Sequence, residues 1–295
     1  MSPLKAIVGI CAYNEENNIS RLLQNLVSKQ DLSYNYRILV ICSGCTDRTP
    51  EIVKEFQQKD SRIDLITENE RKGKSHALNR IFRHARSDAD LLILTNADAL
   101  PAKESIRKLQ HRLTLWKAGA VFARPVPLED SRGISHRIVQ VIWRLHDIIS
   151  ILGTPKLSGE LCAIRASCLE DIPENTVTDE PFIEMTIHRQ HQSIRYVPEA
   201  IVHIRCPTNV SDLMKQRKRN WIGHMQLQDS TGYKVPTSDI RNILRAASAL
   251  TPKEIPYLLL GGFLEAIVYV QARAIFRKGM IPYAWEPIRS TKTSL

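Results

Sequence analysis

Leu91-Leu92-Ile93-Leu94-Thr95-Asn96-Ala97-Asp98-Ala99-Leu100-Pro101 is the stretch on which the reading of this chain turns: an aliphatic run that stops at a carboxylate and a proline. Four consecutive large apolar residues are too few for an ordinary helix and suit a central strand of a parallel sheet, buried on both faces. In open α/β sheets, ligands sit beyond the carboxyl ends of such strands, which is where Asp98 falls. Two readings of Asp98 stand side by side. Pro101 suits a first helical turn, and Ile106, Leu109, Leu113 and Trp116 recur at helical spacing through Ala102–Trp116, so Asp98 reads as a cap for that helix or as a metal ligand.

Upstream of this strand the same pattern repeats. Ala6–Cys11 reads as a strand, followed by the polar loop Tyr13–Asn18 and a helix whose Ile19, Leu22, Leu23, Leu26 and Val27 share one face. Ile38–Cys42 is a second strand, entering Ser43–Asp47, after which Thr49 as N-cap and Pro50 at the first helical position open another helix. Ile63–Thr67 is a third strand, and the basic loop Arg71–Lys74 leads into the helix Ser75–Ala85. Strand–loop–helix alternation of this kind implies a parallel sheet whose polar loops gather at one edge.

Downstream the pattern becomes mixed. Val121–Ala123 and Gly159–Arg165 read as strands, Ile134–Leu152 as a long apolar helix and Pro181–Gln190 as another helix. Ile194–Val197 and Ile201–Ile204 read as two short strands, and Asn209–Gln228 as a helix carrying Gln216-Arg217-Lys218-Arg219-Asn220-Trp221. Gly232 and Pro236 mark a linker before a short helix at Ile240–Leu250. Ile255–Ile275 is the most hydrophobic segment but is interrupted by Glu265, Gln271 and Arg273, so it falls short of a charge-free spanning helix. It suits a helix lying on the cytoplasmic membrane surface or one docked on the protein's own core.

With 295 residues the chain can bury a full core, and its net charge of +10, from 41 Lys+Arg against 31 Asp+Glu, favours acidic partners such as phosphates or an anionic membrane face. Aromatic residues do not interleave with the basic runs, which argues against nucleic acid. The six cysteines are scattered; Cys42-x-x-Cys45 has no second pair and no His cluster beside it, so all six read as reduced residues of a cytosolic protein. The N-terminus enters a strand directly and shows no signal peptide.

Taken in order, the loops resemble those of the family 2 glycosyltransferases over roughly Ala6 to Gln228. Ala12-Tyr13-Asn14-Glu15-Glu16 is similar to the family's opening motif, which implies that Tyr13 and Glu15 hold the nucleobase and ribose; a stacking face and an acceptor are what such a moiety needs. At the second strand end, where the family places an Asp against uracil, this chain has Cys42-Ser43-Gly44-Cys45-Thr46-Asp47, leaving Ser43 as the candidate contact and Asp47 as a turn residue. Arg71–Asn79 is similar to the family's Gly-Lys-x-x-Ala-Leu-Asn segment, and Lys74 at a helix N-terminus suits a diphosphate. Asn96-Ala97-Asp98 resembles the Asp-x-Asp signature with its first carboxylate replaced by an amide. The resemblance implies that Asp98 binds Mg²⁺ or Mn²⁺ and that Asn96 supports it or the ribose.

Val177-Thr178-Asp179-Glu180 resembles the acceptor-side motif and implies Asp179 as general base, with Glu180 as the alternative; an Asp before a helix is otherwise an N-cap. Gln216, Arg217 and Arg219 are similar to the Gln-x-x-Arg-Trp motif of membrane polysaccharide synthases, with Trp221 displaced by one residue; they are candidate donor-binding residues, of which one Arg is expected to touch phosphate. His203 and His224 are candidates for a further metal ligand.

The resemblance implies an α/β protein with a GT-A (Rossmann-like) mixed sheet flanked by helices and a C-terminal helical tail. The expected division is a GT-A domain at 1–228, with a nucleotide-sugar half to about 118 and an acceptor half from 119, then a linker and amphipathic tail at 229–295. The implied activity is inverting, metal-dependent hexosyl transfer from a nucleotide-diphosphate sugar to a glycan or lipid-linked acceptor, at the inner face of the cell membrane, in envelope polysaccharide or glycolipid synthesis. The rivals are a catalytically inactive nucleotide-sugar-binding homologue and a sugar nucleotidyltransferase; the latter expects a Gly-rich N-terminal loop where this chain has Tyr13–Asn18.

Overall fold

A computed structural model describes residues 4–30, 35–128 and 133–279, together with Ile281, Ile288, Ser290 and Lys292. Four parallel strands form one half of its sheet: β1 (Lys5–Ala12), β2 (Asn35–Ser43), β3 (Ile63–Glu68) and β4 (Leu91–Asn96). Helices α1 (Ile19–Ser28), α2 (Thr49–Lys59) and α3 (Lys74–Asp88) connect them. The aliphatic run of β4 is buried throughout, as its composition requires, with Leu92 and Ile93 fully inaccessible. Two apolar clusters, one on each face of the sheet, share its strands: Val8, Ile10 and Ile93 belong to one, and Leu39, Ile41, Leu92 and the α3 residues Ile81 and Phe82 to the other.

The second half adds β5 (Leu100–Pro101), α4 (Ser105–Leu115), β6 (Ala120–Pro127), α5 (Ile134–Ile151), β7 (Leu161–Arg165), α6 (Asp179–Arg189) and β8 (Ile194–Ile204). The eight-stranded order is β3-β2-β1-β4-β7-β6-β8-β5, with β7 antiparallel to both β4 and β6. Helices α7 (Val210–Thr231), α8 (Ile240–Ala247) and α9 (Ile255–Arg277) follow.

Several local expectations need correction. Pro101 is in β5, not in a helix, and α4 starts only at Ser105, so Asp98 has no helix to cap. Thr49 is the first residue of α2, not its cap: the Asp47 carboxylate accepts from the Thr49 N–H (3.0 Å) and hydroxyl (2.6 Å), while that hydroxyl accepts from the Glu15 N–H (2.7 Å). The two short strands at 194–204 are one strand, with a register shift opposite Ala123/Arg124 that skips Pro198 to Ala200; Pro198 has no N–H to give the ladder. α9 is 23 residues long and, by length and composition alone, long and apolar enough to cross a membrane. It is nevertheless docked by one face: Arg217 and Trp221 of α7 both bond the Glu265 carboxylate, the latter at 2.7 Å, and Trp221 packs edge-on against Tyr269 with ring centroids 5.0 Å apart.

Candidate active site

Because β1 to β4 run parallel, their carboxyl ends deliver the loops after Ala12, Ser43, Glu68 and Asn96 to the same sheet edge. There they wall a cavity of about 370 Å³. All of Tyr13, Glu15, Ser43, Lys74, Asn96, Asp98, Asp179, Gln216, Arg217 and Arg219 line it, together with Glu180. Lys218 and Trp221 do not, and His203 sits in β8 opposite Leu100 and Val126, away from the cavity.

Gly73 makes the corner that leads into α3. Its φ of +92° is open to glycine and costly for other residues, and it turns the chain so that α3 begins at Lys74. From there Lys74 Nζ reaches Asp179 Oδ2 at 2.8 Å and Glu180 Oε1 at 3.6 Å. Burial alone lowers the Lys74 pKa, but the two carboxylates outweigh it and hold the ammonium above its ordinary value. Asp179 is the first residue of α6; Thr178 takes the N-cap position without a side-chain bond, so the Asp179 side chain is a cavity group rather than a cap. Burial and the Glu180 charge raise the Asp179 pKa above that of a free carboxylate, against the pull of Lys74.

The Arg71 guanidinium lies 4.0 Å from the centroid of the Tyr13 ring. Ser43 is buried, and its hydroxyl is engaged with the backbone of the β3–α3 loop: it donates to the Glu70 carbonyl and accepts from the Lys72 N–H, each at 3.4 Å. Asp47 holds the turn and does not reach the cavity.

Asp98, Glu15 and Glu160 concentrate negative charge beyond β4. Burial and the Glu160 charge push the Asp98 carboxyl up to about 6, and burial followed by the Asp98 charge raises Glu15. Hard oxygen donors of this kind suit a divalent cation. Among the described residues no three His, Cys, Asp or Glu side chains converge into a cage, so such an ion would be held by one or two side chains plus diphosphate oxygens, as Mg²⁺ commonly is. His224 lines the cavity but beside Lys156 and Arg217, and burial with those charges lowers its pKa well below the usual value; a cationic corner does not favour a metal.

Three cavity groups had escaped sequence reading. Glu160 comes from the residue before β7, and Lys156 from the loop after α5. Lys292, expected in a remote tail, donates to Glu15 Oε1 (2.7 Å), to the Asn14 carbonyl (3.1 Å) and to that of Tyr13. No spacing pattern announces any of them, since each reaches the site by tertiary return of the chain. Cys11, Cys42, Cys45, Cys162 and Cys168 are free thiols.

The sequence profile of glycosyl transferase family 2 matches residues 7–172, more than half of the chain. This chain belongs to glycosyl transferase family 2. It is 27% identical over 234 residues to a probable glycosyltransferase, YdaM, of Bacillus subtilis, covering 73% of this chain and 54% of that protein. It is 25% identical to the poly-β-1,6-N-acetyl-D-glucosamine synthase of Staphylococcus epidermidis over 71% of this chain and 52% of the synthase. The chain thus spans about half the length of these curated relatives. Among solved structures, the mannosyltransferase PcManGT of Pyrobaculum calidifontis, in complex with GDP-Man and Mn²⁺, superposes with a TM-score of 0.62 at 23% identity, over 99% of this chain and 84% of that one. TarS 1–349 of S. aureus, in complex with UDP-GlcNAc, gives 0.54 at 15% identity, over 94% and 92%. The family 2 chain has the GT-A fold: a mixed eight-stranded sheet flanked by helices, with a C-terminal helix.

Proposed function

We propose that this family 2 protein is an inverting glycosyltransferase, moving a sugar from a nucleoside-diphosphate sugar to the hydroxyl of a glycan or lipid-linked acceptor. The observation that carries the reading is one cavity with a half-buried carboxylate, Asp98, at the strand ends and a second, buried one, Asp179, on the α6 wall beside Lys74. Tyr13, Glu15 and Ser43 take the nucleoside end, and Lys74 with Arg217 or Arg219 the diphosphate. Asp179 accepts the proton of the acceptor hydroxyl as its oxygen bonds to C1, and the C1–O bond to the diphosphate breaks with its electron pair leaving on the nucleotide. Bound at Asp98, Mg²⁺ or Mn²⁺ supplies charge neutralisation for that leaving group. Arg219 is the better placed of the two arginines, because Arg217 is already bonded to Glu265.

A division into a catalytic domain at 1–228 and a tail at 229–295 is part of the same reading, as is work at the inner face of the membrane. Support for the latter is the outer side of the tail helices: Ile240, Leu244, Leu259, Phe263 and Val270 are exposed alongside Arg245, Lys253, Arg273 and Lys278. Apolar side chains rimmed by cations suit an anionic lipid surface. The bond network around Glu265 ties α9 to α7, which favours a helix lying on the bilayer over one crossing it.

The test is a panel of nucleotide sugars with Mn²⁺, read by thermal stabilisation and donor hydrolysis. At least one donor is expected to stabilise the protein only with metal present, and Asp98→Ala to abolish that dependence. A panel in which no donor binds, or in which Asp98→Ala changes nothing, refutes the assignment.

A further inference from the structure

The departure of Asn96 from the family's paired carboxylates is matched by a contact elsewhere in the chain. Asn96 Nδ2 donates to Glu160 Oε2 at 2.9 Å, and the Glu160 backbone carbonyl accepts from Thr95 Oγ1 at 3.0 Å. Glu160 directly precedes β7, whose antiparallel pairing sets Leu161 opposite Thr95, so the backbone ladder holds Glu160 against the end of β4. Both Asn96 and Glu160 line the cavity with Asp98.

An amide has two faces, one donating and one accepting, and a free asparagine can present either. In the structure the amide NH₂ is turned towards Glu160, whose Oε2 accepts its hydrogen bond. The carbonyl Oδ1 is then left on the other branch of the amide. With the opposite flip, Oδ1 would oppose the Glu160 oxygens.

Resting on the glycosyltransferase reading above, we propose that Glu160 is a positioning residue. It orients Asn96 so that Oδ1 serves, beside the Asp98 carboxylate, as the second hard-oxygen ligand for the divalent cation that carries the donor diphosphate. The chain thereby keeps two carboxylates at the motif while moving one of them from β4 to the residue before β7.

The test titrates Mn²⁺ into the full chain in the presence of UDP or GDP, following the electron paramagnetic resonance signal of free Mn²⁺. Wild type is expected to bind with one of the two nucleotides. Glu160→Ala frees the amide and should weaken Mn²⁺ by about 10- to 100-fold, the usual cost of losing an orienting partner. Glu160→Gln keeps an acceptor oxygen for Asn96 and should retain most of the binding. Asn96→Asp combined with Glu160→Ala supplies a carboxylate that needs no orienting, and should restore binding. Asn96→Leu leaves Glu160 in place and should lose Mn²⁺ as Glu160→Ala does, which keeps the test independent of whether Glu160→Ala folds.

Wild-type affinity in Glu160→Ala or in Asn96→Leu overturns the proposal. So does an equal loss in Glu160→Gln and Glu160→Ala without rescue by the double variant, since Glu160 would then act by its own charge. Failure of the wild type to bind Mn²⁺ with either nucleotide overturns instead the glycosyltransferase reading on which the proposal stands.

Discussion

Lys74 Nζ stands 2.8 Å from Asp179 Oδ2, so the cation at the head of α3 neutralises the carboxylate that the proposed mechanism uses as its base. In the proposed mechanism this one ammonium serves two anions, the base and the diphosphate. A donor diphosphate that draws Lys74 towards itself leaves Asp179 free to take a proton, which couples donor binding to activation of the base. Asp179→Asn is expected to keep donor affinity and to lose about 10²- to 10⁴-fold in transfer rate, the usual contribution of a positioned base. Lys74→Met should weaken the donor by about 10- to 100-fold, since charge-assisted bonds are worth roughly 1.5–3 kcal/mol. Calorimetric donor binding beside steady-state transfer separates the two.

The acid limb of the transfer rate should lie higher in pH than for an ordinary aspartate. Burial and the neighbouring Glu180 raise the Asp179 pKa above 3.8, and only its ionised form accepts the proton, so the rate falls as pH drops through that raised value. Glu180→Gln removes the like charge and should move the limb to lower pH. A pH profile of kcat that does not shift in Glu180→Gln contradicts this account.

Acid should also destabilise the fold through two histidines at the cavity wall. Burial, with Lys156 and Arg217 nearby, keeps His146 and His224 neutral well below the usual 6.5. The unfolded chain takes up these protons near 6.5 and the native state does not, so their full contribution is present above that pH and is lost as pH falls towards the depressed native values. Thermal melts between neutral and mildly acid pH should show a shallower fall in Tm for His146→Gln and for His224→Gln than for wild type.

Membrane contact has a direct readout in vesicle co-sedimentation. The chain is expected to pellet with anionic vesicles and to be released by salt, because the attraction of exposed cations is screened within about 8 Å at physiological ionic strength. Phe263→Glu with Val270→Glu changes two exposed positions of α9 and should abolish pelleting while leaving the melting temperature nearly unchanged. Equal pelleting of the variant would count against a lipid-facing α9.

Much of the first half of this chain was legible in its residues. The apolar runs at Ala6, Ile38, Ile63 and Leu91 had the length and burial pattern of parallel strands, and helical periodicity filled the gaps between them. Local chemistry erred where two devices compete: Pro101 suited a helix start as well as an edge strand, and Pro198 divided β8 in the residue pattern although the strand bridges it by a register shift. Such choices depend on which partner strand is available, which no local window contains.

The same divide runs through the site. By itself the sequence determined the family's order of motifs, and with it the candidates Glu15, Lys74, Asn96, Asp98 and Asp179, because strand ends and helix starts carry their loops with them. Only the tertiary structure decided that Lys74 faces Asp179, that Lys292 returns to Glu15, and that Glu160 meets Asn96. The antiparallel entry of β7 beside β4 brings together residues 64 positions apart, and that pairing is set by the packing of the whole sheet rather than by either segment.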